Sequence, residues 1–319
     1  MRRTAAWDVP RVQATRMVRG ERAGELPARS RPRAVLVSLR PAQWTKNAVL
    51  LVAPVFAHRA TDPASVARAL LGVAAFCLLA SAVYVANDVA DREHDRIHPL
   101  KRRRPIAAGE LSLALAVAAS AGLALAGLAL AGVLGKRFFG VGLVYLGLQV
   151  AYTLALRRLV IVDVFAVALG FVLRVVAGAM AVAVPISNWL YLCSLLLALF
   201  LALAKRRAEL ILLAAEAPSH RHILAEYSTP LLDQLITVLS ACSVLAYALY
   251  TLSPETIQKF GSDRLKFTVP FVLFGLFRYL YLVHRRGAGG QPELVLLRDR
   301  PTQVNLAAYV ATVLWAIYL

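Results

Sequence analysis

Nine stretches of the chain, at residues 38–58, 64–88, 111–134, 138–156, 160–184, 189–206, 231–253, 267–284 and 302–319, are almost wholly apolar. Blocks of about twenty such residues are what a helix needs to cross a hydrocarbon layer of about 30 Å. The pattern predicts an all-α integral membrane protein with nine transmembrane helices. Composition agrees, with 59% hydrophobic residues and a mean hydropathy of +0.63, and leaves little room for a separate soluble domain. The first span is the weakest. Arg40, Pro41 and Lys46 interrupt its start and leave about a dozen clean apolar residues, so it is expected to begin at the membrane interface.

The net charge of +18 does not point to nucleic acid, because the basic residues sit in short loops between apolar blocks rather than on one soluble face. Of the 36 Lys and Arg, 27 fall in segments 1–46, 89–110, 157–158, 205–230 and 284–301, and 7 in the alternate segments. This asymmetry places the N-terminus and the long charged loops in the cytoplasm, and nine spans put the termini on opposite sides of a cell membrane. Residues 1–34 read as a basic, disordered cytoplasmic extension, Arg-rich and without the apolar core of a secretory signal. Residues 35–319 read as a single transmembrane catalytic domain. Cys77, Cys193 and Cys242 lie inside apolar blocks, where a thiol packs as a small hydrophobe.

The second span runs directly into carboxylates: Asn87, Asp88, Asp91 and Asp95. Asn87, Asp91 and Asp95 recur every four residues and Asp88 lies three before Asp91, so all four project from one helical face. Like charges so spaced repel, and a cation is expected between them. Mg²⁺ suits the position, since it takes oxygen ligands and is commonly shared between a few carboxylates and substrate phosphates. The bland alternative is a solvated helix end neutralised by Arg92 and Arg96. Four consecutive cations follow, Lys101, Arg102, Arg103 and Arg104, which read either as phosphate capture or as cytoplasmic topology signals. His94 and His98 lack the convergent partners of a transition-metal site.

The sequence Asn-Asp-x-x-Asp-x-x-x-Asp, followed by a basic segment ending in Arg-Pro-x-x-x-Gly, resembles the first signature of the UbiA-type membrane prenyltransferase superfamily. The resemblance implies nine helices bundled around a central cavity, and covers the chain after about residue 35. Aromatic-substrate members carry a second Asp-rich motif after the sixth helix. This chain has Lys205, Arg206, Arg207 and Glu209 there, which can bind a phosphate better than a second Mg²⁺. That basic segment, the Leu39–Asn47 run with Gln43, Trp44, Lys46 and Asn47, and Tyr152 and Arg157 leading to Asp163 and Arg174, resemble the decaprenyl-phosphate phosphoribosyltransferases. Bland readings stand beside these: Trp44 as an interfacial anchor, Lys46 as a snorkelling cation, Lys205–Arg207 as a helix end. Asp163 and Arg174 are eleven residues apart, near three helical turns, and so can share a face. Arg278 reads as a structural pair or an interfacial cation.

The resemblance implies Mg²⁺-dependent transfer of 5-phosphoribose from phosphoribosyl pyrophosphate to decaprenyl (polyprenyl) phosphate, in cell-wall arabinan synthesis. Asp88, Asp91 and Asp95 would hold the metal, with Asp88, Asp91 and Asn87 catalytic. Gln43, Lys46, Asn47, Tyr152, Arg157, Asp163, Arg174, Lys205, Arg206 and Glu209 would contact substrate, and Lys101, Arg102 and Arg103 would guide phosphates. The expected partners are these two substrates and the lipid bilayer, with a homo-oligomer left open. An aromatic prenyltransferase using a polyprenyl diphosphate and a membrane transporter are the competing readings.

Overall fold

The computed structural model of the chain describes residues 29–97, 101–214, 226–290, 295 and 298–319, and every regular element among them is helical. Residues 1–28 of the expected extension lie outside the described residues, as does His98. Helix α1 (Arg31–Leu39) leads to a 3₁₀ segment, Pro41–Leu51, and the short α2 (Val52–Phe56). There follow α3 (Pro63–Ala90), α4 (Arg92–Ile97), α5 (Leu113–Leu134), α6 (Lys136–Leu154), α7 (Val162–Ala181) and α8 (Asn188–Ala214). The chain ends with α9 (Thr229–Leu252), α10 (Pro254–Phe260), α11 (Val269–Arg286) and α12 (Arg300–Tyr318).

Among the described residues, seven helices are long and apolar enough to cross a membrane: α3, α5, α6, α7, the first 24 residues of α8, α9, and Arg264–Arg286, which contains α11. They match seven of the nine apolar runs to within a few residues, so the chain is a multi-pass membrane protein. The last run is the 19-residue α12, whose first turns carry Gln303 and Asn305. The first run differs most from expectation. In place of one α-helix, Arg40 takes a left-handed conformation (φ 53°) and Pro41–Leu51 winds as a 3₁₀ helix. At about 2.0 Å per residue that segment rises about 22 Å, and α2 adds about 8 Å. Wound as a 3₁₀ helix, those residues reach farther than they would as an α-helix.

The 3₁₀ segment is wedged between α3 and α7. At Gly178 an added Cβ would stand 2.1 Å from the Leu50 carbonyl oxygen, so glycine is what lets the two backbones meet. Two cores flank α7. One gathers Leu50, Phe76, Leu79 and Phe138 from the 3₁₀ segment, α3 and α6, with Phe76 and Phe138 edge-on at 5.8 Å. The other gathers Phe200, Leu232, Ile236 and Leu282 from α8, α9 and α11. The buried face of α7 is rich in small residues, among them Ala166, Ala168, Gly170, Ala177 and Ala181, which let helices approach closely in lipid.

Length decides where the polar groups emerge. The 28 residues of α3 extend about 42 Å, roughly eight residues more than the hydrocarbon layer needs, so one or both of its ends stand outside that layer. The start of α7 meets its C-terminal end, because Arg157 contacts Asp91 and Ile161 contacts Tyr227, just before α9. At the opposite end Arg68 donates to the carbonyls of Ala181 (2.7 Å) and Leu134 (2.8 Å), covering two helix C-termini at once.

Candidate active site

The acidic residues sit where α3 gives way to α4. Asp91 caps α3, yet its N–H bonds the Asn87 carbonyl at 2.9 Å and the Asp95 N–H bonds the Asp91 carbonyl at 2.8 Å. The i to i−4 ladder therefore continues through the junction and keeps the helical spacing. The side chains divide into two adjacent stripes. Asp88 and Asp95, seven residues apart and each 2% exposed, share Arg104, whose Nη1 lies 3.0 Å from Asp88 Oδ1 and 2.6 Å from Asp95 Oδ2. Asp88 also accepts from Arg40 at 2.5 Å. Asn87 and Asp91 turn instead to the end of α6: the Thr153 hydroxyl donates to Asn87 Oδ1 at 2.8 Å, and Arg157 Nη1 to Asp91 Oδ1 at 3.0 Å.

Arg92 and Arg96 do not neutralise this cluster. Both pair with Glu93, at 3.9 and 3.1 Å. The counter-ions are Arg40, Arg104 and Arg157, and only the last was among the expected site residues. Arg40 and Arg104 share a signal in the sequence, since each immediately precedes a proline that restricts its backbone. Arg40 is held by more than charge: its guanidinium lies 5.0 Å from the centre of the Tyr84 ring. In the basic loop Arg102 and Arg103 are exposed and Lys101 is half-buried. The Arg103 carbonyl accepts from Arg29, which also pairs with Glu110 at 3.0 Å.

A second cluster faces the start of α7. Arg206 on α8 pairs with the fully buried Asp163 and donates to Glu209 Oε2 at 2.7 Å, while Tyr152 lies beside its guanidinium. Tyr227, which no motif singles out, donates to Asp163 Oδ1 at 2.9 Å. Arg207 points away to Asp233 at 2.5 Å, and Lys205 is exposed. Of the cationic run expected to receive a phosphate, Arg206 and Arg207 are thus already engaged by carboxylates. The two clusters meet at Tyr152 and Thr153, consecutive residues at the end of α6, one touching each.

Asn47 and Arg174 belong elsewhere. Arg174 shares the buried face of α7 with Asp163 but lies about 16 Å farther along the helix. Its Nε donates to Asn47 Oδ1 at 2.7 Å, its Nη1 to the Gly170 carbonyl at 2.6 Å and its Nη2 to the Tyr145 hydroxyl at 3.0 Å. This satisfies a cation deep in the bundle and pins the 3₁₀ segment to α7. Gln43 and Lys46 are half-buried on that same segment. Trp44 donates to Ser81 at 3.0 Å, so it is tied to α3 as well as lying near the interface. Arg278 makes a two-pronged pair with Asp299 at 3.0 and 2.8 Å, a structural link between α11 and α12. A cavity of about 280 Å³ between Ile186, Trp189, Tyr250 and Lys259 is separate from all these groups.

The acidic stripe offers carboxylate and amide oxygens, the donor chemistry a hard divalent cation takes, and a positive charge already stands between Asp88 and Asp95. Among the described residues no three carboxylates converge on one point, because arginines stand between them. The donors fit Mg²⁺ provided those guanidinium groups give way.

Comparison with known proteins agrees with the helical fold. Residues 48–287 match the UbiA prenyltransferase family. The decaprenyl-phosphate phosphoribosyltransferase of Mycobacterium tuberculosis is 34% identical over 283 residues, spanning 88% of this chain and 92% of that protein. The enzyme of the same name from Corynebacterium glutamicum is 34% identical over 298 residues, spanning 89% and 87%. Among solved structures, a UbiA homolog from Archaeoglobus fulgidus bound to GPP and Mg²⁺ superposes with a TM-score of 0.69 at 22% identity, covering 90% of this chain and 100% of that one. With its long apolar helices, its acidic helix end and a match that spans three quarters of its length, the chain belongs to the UbiA prenyltransferase family.

Proposed function

We propose that the protein transfers 5-phosphoribose from phosphoribosyl pyrophosphate to a polyprenyl phosphate, decaprenyl phosphate in the first instance, in a Mg²⁺-dependent reaction at the cytoplasmic face of the cell membrane. The products are polyprenylphosphoryl-5-phosphoribose and pyrophosphate, a donor suited to cell-wall arabinan synthesis. The observation that carries the reading is the acidic helix end set among the partly exposed Arg40, Arg104 and Arg157, with an α8 segment that bears Lys205 and Arg206 meeting it through Tyr152 and Thr153. Two relatives sharing about a third of their residues over most of their length bear the name of this activity.

A phosphate oxygen of the lipid forms the new bond to C1 of the ribose as the bond from C1 to pyrophosphate breaks. The nucleophile is already anionic at neutral pH, so no strong general base is needed, and catalysis rests on positioning and electrostatics. Asp88, Asp91 and Asp95 would hold Mg²⁺, which when bound neutralises the departing pyrophosphate and fixes its orientation. Arg40, Arg104 and Arg157 are within reach of the same place and supply cationic donors for phosphate oxygens. Asn87, steadied by Thr153, is a hydrogen-bonding group for a ribose hydroxyl. Lys205, Lys46 and the exposed Arg102 and Arg103 provide the remaining positive potential, and the predominance of Lys and Arg in the loops on this side supports a cytoplasmic placement.

Purified protein supplied with Mg²⁺, ribose-labelled phosphoribosyl pyrophosphate and polyprenyl phosphate is expected to move label into the lipid fraction, and chelation to stop it. Label transfer that requires a polyprenyl diphosphate and an aromatic acid instead would replace this reading with an aromatic prenyltransferase.

A further inference from the structure

Ile161 holds a backbone conformation, φ 67° and ψ −44°, that β-branched residues strongly avoid. The Val162 N–H donates to the Val160 carbonyl at 2.8 Å, which closes a three-residue γ-turn of the strained hand around it. Such a turn persists only where its surroundings over-determine it. Here they supply one phenol. The Ile161 N–H donates to the Tyr227 oxygen at 2.7 Å, and the Tyr227 hydroxyl donates in turn to Asp163 Oδ1 at 2.9 Å. Tyr227 is 4% exposed, and burial pushes its hydroxyl up to about 12, so it remains protonated and keeps donating.

The connector that ends in this turn also carries Arg157. Its start is tied to α6, the Ala155 N–H bonding the Ala151 carbonyl at 2.9 Å. Leu156–Arg158 forms one 3₁₀ turn, from which Arg157 reaches Asp91 at 3.0 Å. Its far end is fixed by the Ile161 turn, and the Asp163 N–H bonds back to the Leu159 carbonyl at 3.0 Å. Residues 155–161 are therefore a short rigid bridge, anchored on one side by a helix and on the other by Tyr227.

We propose that Tyr227 is a positioning residue of the transfer site: its hydroxyl holds the strained turn at Ile161 and, through the 155–161 bridge, sets where Arg157 stands against Asp91. Tyr227 itself touches no substrate. The inference rests on the proposed reading of the site and deepens it, because a residue just before α9 then governs the geometry at the diphosphate end.

The test is steady-state kinetics of phosphoribosyl transfer by the full-length protein, with calorimetric binding of Mg²⁺-pyrophosphate as a readout that needs no turnover. Tyr227→Phe is expected to lower kcat about tenfold or more and to weaken pyrophosphate binding, while KM for the polyprenyl phosphate holds, since displacing a catalytic group by a fraction of an ångström is enough. Glycine adopts positive φ without support, so Ile161→Gly in the Tyr227→Phe background should recover most of the loss. Once Arg157 is replaced by Gln, adding Tyr227→Phe should change turnover by less than about twofold, because the two act through one path. A Tyr227→Phe variant with normal turnover and binding, an absence of rescue by glycine, or full additivity with Arg157→Gln would each overturn the proposal. If Tyr227→Phe does not fold, the single Ile161→Gly variant decides, and a fall in its turnover of about tenfold would overturn it. A wild-type protein that binds Mg²⁺-pyrophosphate but transfers no phosphoribose would remove the proposed function; the same variant pattern in binding would leave the role of Tyr227 standing.

Discussion

Asp88 and Asp163 are both buried carboxylates that face arginine, yet the arginines of Asp88 keep 29% and 27% of their side chains exposed, while Arg206 opposite Asp163 keeps 8%. A partly exposed guanidinium can trade a carboxylate for water or phosphate at small cost. A buried one cannot, because each partner would be left as an isolated charge in a poorly polarisable surrounding. The acidic stripe is accordingly the exchangeable half of the site, where cations can come and go, and the Asp163–Arg206 pair is its fixed half.

The largest way to break this contrast is Asp163→Asn, which leaves Arg206 with Glu209 as its one carboxylate inside the bundle. We expect a loss of about 3–5 kcal/mol of stability, read as a lower unfolding midpoint in detergent whether or not Mg²⁺ is present. Asp88→Asn should do the opposite, cutting phosphoribosyl transfer by on the order of 10²-fold or more while the unfolding midpoint scarcely moves. Loss of fold in that variant would show that the acidic stripe is fixed as well.

Arg104→Gln tests exchange directly. Without Arg104, Asp88 and Asp95 repel, and stability measured in a chelator should fall by about 1–2 kcal/mol and recover when Mg²⁺ is added. Arg206→Gln should show no such recovery. A shortfall in Arg104→Gln that Mg²⁺ does not repair would remove the idea that one cation replaces another there. The smallest effect is expected at the exposed Lys205, where alanine should change stability by less than about 0.5 kcal/mol and raise KM for one phosphate substrate severalfold. If KM and turnover both stay put, Lys205 contributes only to membrane orientation.

The long apolar runs announced seven helices because a hydrocarbon layer leaves the backbone no other way to satisfy itself over twenty residues. The first run was harder to read. Its 3₁₀ form depends on a notch at Gly178, more than a hundred residues away, and on the left-handed Arg40. The acidic stripe was legible through its helical spacing, but its division into two directions was not, since that depends on which cation each carboxylate meets. Of 36 Lys and Arg, the sequence could not single out Arg40 and Arg104 as the partners of Asp88, although both stand before proline. Arg174 shares a face with Asp163, as its spacing implies, but its partners, Asn47 and Tyr145, lie far from it in the sequence. Tyr227 left no local signature at all, because its role exists only once α9 is folded against the start of α7.

The surplus length of α3 fixes an altitude. On the proposed reading the surplus of about two turns lies at the C-terminal end of this helix and carries Asn87, Asp88 and Asp91 to the seam between two solvents. One reactant is then soluble only above that seam and the other only below it. Neither has to change phase: the sugar diphosphate stays in the water, the prenyl tail stays among the acyl chains, and only the two reacting ends share the boundary. A chain whose α3 stopped two turns sooner would ask one of its substrates to dissolve in the wrong medium.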